Sequence, residues 1–564
     1  MARYNRRIPV LPDCPIVLPV RGFINRSYPV GRQSFSRAFK GKAFTTTITT
    51  EFPLPAKTIA RFIIASGSNG EIKQEVLPFL LADECTFKCQ YIPGNTGLHS
   101  FRAEFSPDYG LTWIRDNVPD AWVLIDPPQV DGLRLYTLIP AVSGTIKDWK
   151  EDLVRIKGMG FNAVHLLPVT TLDSSESPYS ARDLFSIDTC YLEKEGGIDG
   201  LEQLEEYIDE AKKHGISLCF DIVLNHVGSN SQIAKKAPDW IIPDQNKPDG
   251  FLRAGYWSEH GWLEWDDLIL INFEHPSEVV RKDIWDYMTE YTLFWAKYAN
   301  ETGGFVRFDN LHSSDPKFVQ YLADSLHKEY PEVAILGEFF TDETNLLQKS
   351  AQWGLNLNLA TPWNYRFVPQ LRDYLNYLHR STKHLRYFMP VTTHDSGTPN
   401  EEFGSVESTV PRYVAAALLG TGATGITMGV EYGIKEKIQF IGIQSKVKFP
   451  ENIRFAEFIL RVNTILKDFS AFRCGDNCFF VDKGHAAIIA AFRYDVDSKC
   501  SGFLVLCNFD TLNSQKITID LLPFLGASGP FSCIELLSGV NMEFSQSPSE
   551  LFLQPCEALV LKVL

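Results

Sequence analysis

Nine polar side chains in this sequence stand at the ends of apolar runs, where burial makes a charged group costly unless something pairs with it. They are Asp221, Asn225 and His226 in DIVLNH, Arg307, Asp309 and His312 in VRFDNLH, Glu338 in ILGEF, and His394 and Asp395 in VTTHD. Brought to one mouth, the carboxylates Asp309, Glu338 and Asp395 suit nucleophilic and acid–base work at a glycosidic carbon. A retaining reaction there needs one carboxylate to attack and one carboxylic acid to protonate the departing oxygen, about 5–5.5 Å apart. Arg307 stands two residues before Asp309, so on a strand both face the same way. A guanidinium in that position is expected to keep Asp309 ionised and oriented as nucleophile. Crowding by a like charge is expected to keep the acid protonated. Taken singly, each residue has a plainer use: Arg307–Asp309 as a structural ion pair, His226 or His394 as a satisfied core histidine.

What positions them is a regular alternation that starts near Gly132. LRLYTLIP is an apolar strand, and Ile146–Gly160 an amphipathic helix ending at glycine. FNAVHLLPV, ISLCFDIVLNH, FVRFDN, VAILGEFF, MPVTTHD and GITMGV read as further strands, with Gly200–Gly215 another glycine-stopped helix. Strands that are continuously apolar imply a parallel sheet covered on both faces. About eight such units predict a (β/α)8 barrel, whose reactive residues belong at the carboxyl ends of its strands. An open doubly wound sheet is the rival, weakened by the lack of a glycine-rich phosphate loop after the first strand.

These segments resemble the α-amylase family of glycoside hydrolases and transglycosylases, which carries four short signatures on successive barrel strands. DIVLNH at 221–226 matches the third-strand signature, GFVRFDNLH at 304–312 the fourth, Gly337–Glu338 the fifth and His394–Asp395 the seventh. The resemblance covers roughly residues 130–470. It implies Asp309 as nucleophile, Glu338 as general acid/base, and Asp395 as the third carboxylate, which grips sugar hydroxyls and favours ring distortion. His226 and His394 are implied as ligands of the sugar, Arg307 as the group orienting the nucleophile, and Tyr179 in SPYSARDLF as the platform on which the sugar stacks. Asp221 and Asn225 are implied to support the site from behind. One departure is informative. Where the family's amylases carry Lys-His after the nucleophile, this chain has His312-Ser313. DN.HS with SPYS upstream is more similar to the glucanotransferase part of glycogen debranching enzymes and to bacterial enzymes that transfer maltosyl units from maltose phosphate. Ser313 replaces a calcium-site histidine of calcium-dependent members, so no metal and no cofactor are expected.

The leading expectation is therefore a retaining hydrolase of α-1,4 bonds in glycogen-like or maltooligosaccharide substrates. The alternative is transglycosylation, as a 4-α-glucanotransferase or maltosyltransferase. A sugar-binding protein that has lost its chemistry would usually lack one of the three carboxylates.

The flanks read as β-sandwiches. AFTTTITTEF, RFIIAS and LHSFRAEFS precede the barrel; AAIIAAFRY, SGFLVLCNF, KITIDLLPF and EALVLKVL follow it. The division is residues 1–127, 128–469 and 470–564, with an insertion after the third barrel strand at about 227–275. Trp257, Trp262 and Trp265 in that insertion, and Trp353 and Trp363 further on, suit either sugar stacking or local cores. A formal net charge of −15 argues against nucleic acid. No run of apolar residues is long enough to span a membrane, and no leader is expected after Met1–Arg7. Eleven cysteines, an odd and scattered set, suggest reduced thiols and a cytoplasmic setting. The pairs Cys85/Cys89 and Cys474/Cys478 have no matching second half for zinc.

Overall fold

The computed structural model describes residues 29–30, 33–49, 57–68, 71–83, 86–115, 120–193, 199–258, 261–382, 384–442, 447–475, 477–494, 502–526 and 529–564. Its centre is a closed parallel barrel of eight strands. In chain order these are β1 (Arg134–Leu138), β2 (Ala163–Leu166), β3 (Ser217–Val223), β4 (Phe305–Asp309), β5 (Ala334–Gly337), β6 (Leu357–Leu359), β7 (Tyr387–Pro390) and β8 (Ala423–Thr427). Each pairs with the next, and β8 returns to β1 through Thr424–Arg134 and its neighbours, which excludes the open sheet.

The inward face of each strand changes character along its length. Near the amino ends it is apolar: Leu135, Ala163, Cys219, Phe305, Leu357 and Phe388 pack together inside the barrel. Two residues further along the same face come Thr137, His165, Asp221 and Arg307, because side chains on one face of a strand recur every second residue. One pleat thus builds both a dry plug below and a polar floor above.

Eight helices cover the outside: α1 (Ile146–Gly158), α2 (Gly200–Lys213), α3 (Glu278–Glu301), α4 (Pro316–Glu329), α5 (Glu343–Trp353), α6 (Val368–Ser381), α7 (Thr409–Val414) and α8 (Ala456–Asp468). The first two begin at capping boxes, Thr145 with Asp148 and Asp199 with Glu202, which satisfy otherwise unpaired amide donors. The chain leaves them through Gly160 and Gly215, at φ 82° and 59°, a region where glycine carries no Cβ penalty.

Sheets stand before and after the barrel. Ahead of it, the strand Glu71–Asp83 pairs first with Ile59–Ser68 and then with Thr86–Tyr91, crossing between two layers over Phe62, Phe87, Phe101 and Phe105. Behind it, a six-stranded and a two-stranded sheet enclose Ile488, Leu504, Leu506 and Leu553. After β3, the segments His226–Gly228, Arg253–Ser258 and Gly261–Leu270 form a three-stranded sheet. Asp126 ties the first sheet to the foot of the barrel: fully buried, it accepts hydrogen bonds from Arg37, Asn356 and Arg386. Arg493 does the same from the last sheet, donating to the carbonyls of Leu418 and Gly420 at 2.8 and 3.0 Å. No helix among the described residues is long and apolar enough to cross a membrane. Cys89 and Cys478 carry free thiols, and Cys85 lies outside the described residues.

Candidate active site

The carboxyl ends of β3, β4, β5 and the turn after β7 converge on one guanidinium. Arg307 lies beside Asp221 in the register of β3 and β4, and its Nη1 donates to both Asp221 carboxylate oxygens at 2.9 Å. The same nitrogen reaches Asp309 Oδ1 at 2.6 Å, while Nη2 pairs with Glu338 Oε2 at 2.8 Å. Thus three carboxylates share one cation in a buried setting, where such hydrogen bonds are short and strong.

A second set of contacts holds the aromatic residues. Tyr179 stacks flat beside His394, ring centroids 5.7 Å apart at 4°. Its hydroxyl lies 3.0 Å from Asp221 Oδ2 and 2.7 Å from His394 Nε2. With the phenol donating to the Asp221 carboxylate, His394 Nε2 carries the proton, which also suits its 3.1 Å contact with Asp395 Oδ2. His226 Nδ1 lies 2.9 Å from Asn225 Oδ1. Its Nε2 is buried without a protein partner, an orientation that leaves an acceptor for a hydroxyl group. Asp395 is the most open of the group, with its side chain about half exposed.

Charge balance decides the proton positions. Burial would raise Asp221, but Arg307 and His165 outweigh it and hold it down at about 2. Asp309 goes the other way: burial pushes it well above the usual carboxylate range, and the charges of Glu338 and Asp221 add to this against the pull of Arg307. Arg307 thus pulls Asp309 toward the ionised form, as the sequence suggests, and burial with the neighbouring carboxylates opposes it. One guanidinium divided among three carboxylates leaves Asp309 short of compensation, which favours its protonated form. Burial holds His226 down at about 4 and, with Arg307 and His165, His394 at about 3, so both rings are neutral near pH 7.

The backbone contributes as well. Asn310 takes a left-handed conformation, φ 47°, which asparagine tolerates better than most residues. That turn aims its N–H at Glu338 Oε2, 2.9 Å away. Several participants carried no signature. His165, inside AVHL of β2, lies 3.0 Å from Asp221 Oδ2; a lone histidine in an apolar barrel strand was the available signal. Phe440 packs edge-on against Tyr179 and His394, at 6.0 and 5.1 Å between centroids, and Lys437 Nζ donates to the Asp395 carbonyl at 2.6 Å. Both lie in a loop after β8 with no fixed spacing from any motif. The cavity left beside Arg307, Glu338, His394 and Asp395 is only about 30 Å³, enough for one or two waters. His312 sits apart, exposed beside Phe340 at 5.4 Å. Trp353 is buried in the core, whereas Trp262 and Trp265 are partly exposed on the insertion's hairpin.

Residues 127–260 match the family model of the glycogen debranching enzyme, glucanotransferase domain. Over 419 residues the chain is 22% identical to an alpha-1,4-glucan:maltose-1-phosphate maltosyltransferase of Picrophilus torridus, covering 70% of this chain and 63% of that one. A protein of the same name from Rhodospirillum rubrum is 22% identical over 478 residues, covering 78% and 66%. The chain thus spans less than two thirds of these relatives' length. Among solved structures, a maltogenic alpha-amylase from Thermotoga neapolitana superposes with a TM-score of 0.61 at 18% identity, over 77% of this chain and 99% of that one. An alpha-amylase from Lactobacillus plantarum gives 0.61 at 17%, over 77% and 100%. The chain is thus similar to proteins of the α-amylase family in sequence and shares their barrel fold. The matched family model and the curated relatives carry glucanotransferase and maltosyltransferase names, while the solved structures that share the fold are amylases.

Proposed function

We propose that this chain is a retaining α-1,4-glucan transglycosylase of the α-amylase family, with residues 128–469 carrying the chemistry between β-sandwich units at 1–127 and 470–564. The observation that carries it is the single Arg307 guanidinium joined to both Asp309 and Glu338, an arrangement that suits the short carboxylate separation of a retaining site. Asp309 attacks the anomeric carbon as Glu338 gives its proton to the departing oxygen. The glycosidic bond breaks, and a glycosyl ester forms on Asp309. Glu338 then takes the proton of an acceptor hydroxyl, whose oxygen attacks the same carbon and releases Asp309. Positive charge developing at that carbon favours ionised Asp309 as the sugar reacts. His226 Nε2, His394 and Asp395 hold hydroxyls, Tyr179 supplies the stacking face, and Asp221 with Asn225 braces Arg307 and His226.

Hydrolysis was the first expectation of the sequence. Support falls instead on transfer to a glucan hydroxyl, because the relatives' names describe transfer. The test is incubation with maltoheptaose, with and without inorganic phosphate, with products resolved by chain length. Chains longer than the substrate are expected. Short products alone would mean hydrolysis and overturn the transfer reading, and maltose phosphate formed only with phosphate would assign a phosphosugar donor. No change with the wild type, together with equal sugar binding by Asp309→Ala, would remove the catalytic reading altogether.

A further inference from the structure

Behind the barrel wall, between α5 and α6, lies a cavity of about 640 Å³, a volume within the range of about 300–1,000 Å³ typical of small-molecule sites. It is some twentyfold larger than the space beside the carboxylates. Three tyrosines along α6 and the turn before it make one wall. Tyr365 stacks on Tyr374 with centroids 4.3 Å apart at 24°, and Tyr374 on Tyr377 at 6.3 Å and 22°. The result is a run of near-parallel rings rather than the edge-to-face packing of a closed core. Phe340, 42% exposed, stands at the lip.

The polar groups narrow the ligand. Glu343 and Asp373 line the cavity, and no Lys or Arg does, so an anion finds no partner there. Among the described residues neither carboxylate is engaged in an ion pair. Tyr374 Oη accepts the Thr361 N–H at 2.8 Å, which leaves its own proton to donate. Flat apolar faces ringed by acceptors and a hydroxyl donor match a neutral polyol with apolar ring faces. Continuity fixes which polyol: Leu359 lines both this cavity and the one holding Arg307 and Glu338, and Phe340 is two residues beyond Glu338.

We propose that the aromatic groove between α5 and α6 is a second α-glucan-binding site, which holds a stretch of chain away from the bond being broken. The identity of the ligand rests on the function proposed above; the existence of the groove does not. Holding the polymer there raises its effective concentration at the carboxylates without altering the chemistry. The variants are Tyr365→Ala, which removes one stacking face, and Asp373→Ala on the exposed rim, each checked for an unchanged melting temperature. Calorimetric titration of maltoheptaose, in an Asp309→Asn background that cannot turn over, is expected to lose about tenfold in affinity at one class of site. A second class should remain unchanged, since about 1.4 kcal/mol corresponds to a factor of ten. With Asp309 intact, the KM for glycogen should rise by a similar factor while turnover of maltotriose stays the same. Unchanged affinity and unchanged glycogen KM in both folded variants would overturn the groove. If the wild type turned over no glucan yet Tyr365→Ala still lost maltoheptaose affinity, the groove would stand and the proposed function would fall.

Discussion

Arg307 is the residue on which the site turns, and its limits explain the site's energetics. A cation shared among Asp221, Asp309 and Glu338 stabilises Asp221 fully and leaves Asp309 short of compensation. A carboxyl whose folded-state proton affinity is raised destabilises the fold above its unfolded value near 3.8, and that cost disappears as the pH falls below it. Asp309→Asn should therefore raise the melting temperature at pH 7, with the gain fading below about pH 4, while activity is lost. Glu338→Gln should lower turnover by about 10²–10⁴, the usual worth of a positioned acid/base. A fall in melting temperature for Asp309→Asn at neutral pH would show that the pairing with Arg307 dominates after all. At this scale the sequence was most legible. Arg307 and Asp309 are fixed to one face by strand period alone. What could not be read was how one guanidinium divides among partners from other strands, because pairwise spacing holds no information about competition. His165 escaped for the same reason: its significance lies in Asp221, 56 residues away.

At the scale of elements, the loop after β8 packs against the site through Phe440 and Lys437. Phe440 sits against Tyr179 and His394, and Lys437 clasps the Asp395 backbone. The space beside the carboxylates holds no more than a water or two, so the proposed stacking of a sugar on Tyr179 requires this segment to yield. In the proposed transfer reaction, a loop in this position would keep water from the glycosyl ester while an acceptor arrives. Phe440→Ala is expected to raise the ratio of hydrolysis to transfer several-fold, with smaller effect on total donor consumption, measured as free reducing ends against lengthened chains. An unchanged ratio would remove the covering role. Strong strands such as β3 and β4 were legible from their apolar runs, as were α1 and α2 from their glycine stops. β6 was not: Leu357–Leu359 is three residues long, too short for any period to declare itself, and the barrel's closure supplies what local preference lacks.

Across the whole molecule, the barrel is held between sheets by buried polar clamps rather than by apolar contact alone. Asp126 is fully buried and receives Arg37, Asn356 and Arg386, and Arg37 donates further to the carbonyls of Leu355 and Asn356. Removing one member of such a set strands the others without water. Asp126→Ala should cost about 3–5 kcal/mol of stability, read as a lowered unfolding midpoint in denaturant. Loss of less than about 1 kcal/mol would show that the clamp is dispensable. The division into sheet, barrel and sheet could be anticipated from the change of rhythm near Gly132 and Phe469. The clamps could not, because Asp126 and Arg386 stand in unremarkable surroundings and meet only once the barrel has closed.

The crowding of Asp221, Asp309, Glu338 and Asp395 around one guanidinium, with neutral imidazoles beside it, gives the pocket a selectivity of its own. It is a hollow lined by carboxylates that favours a cation over an anion. A nitrogen-containing ring sugar that is protonated in solution should bind far better than its uncharged lactone counterpart. Its inhibition constant should improve as pH rises through the titration of the cluster and worsen again once the amine itself loses its proton. The same hollow should exclude sulfate and other small anions at any pH at which the protein stays folded.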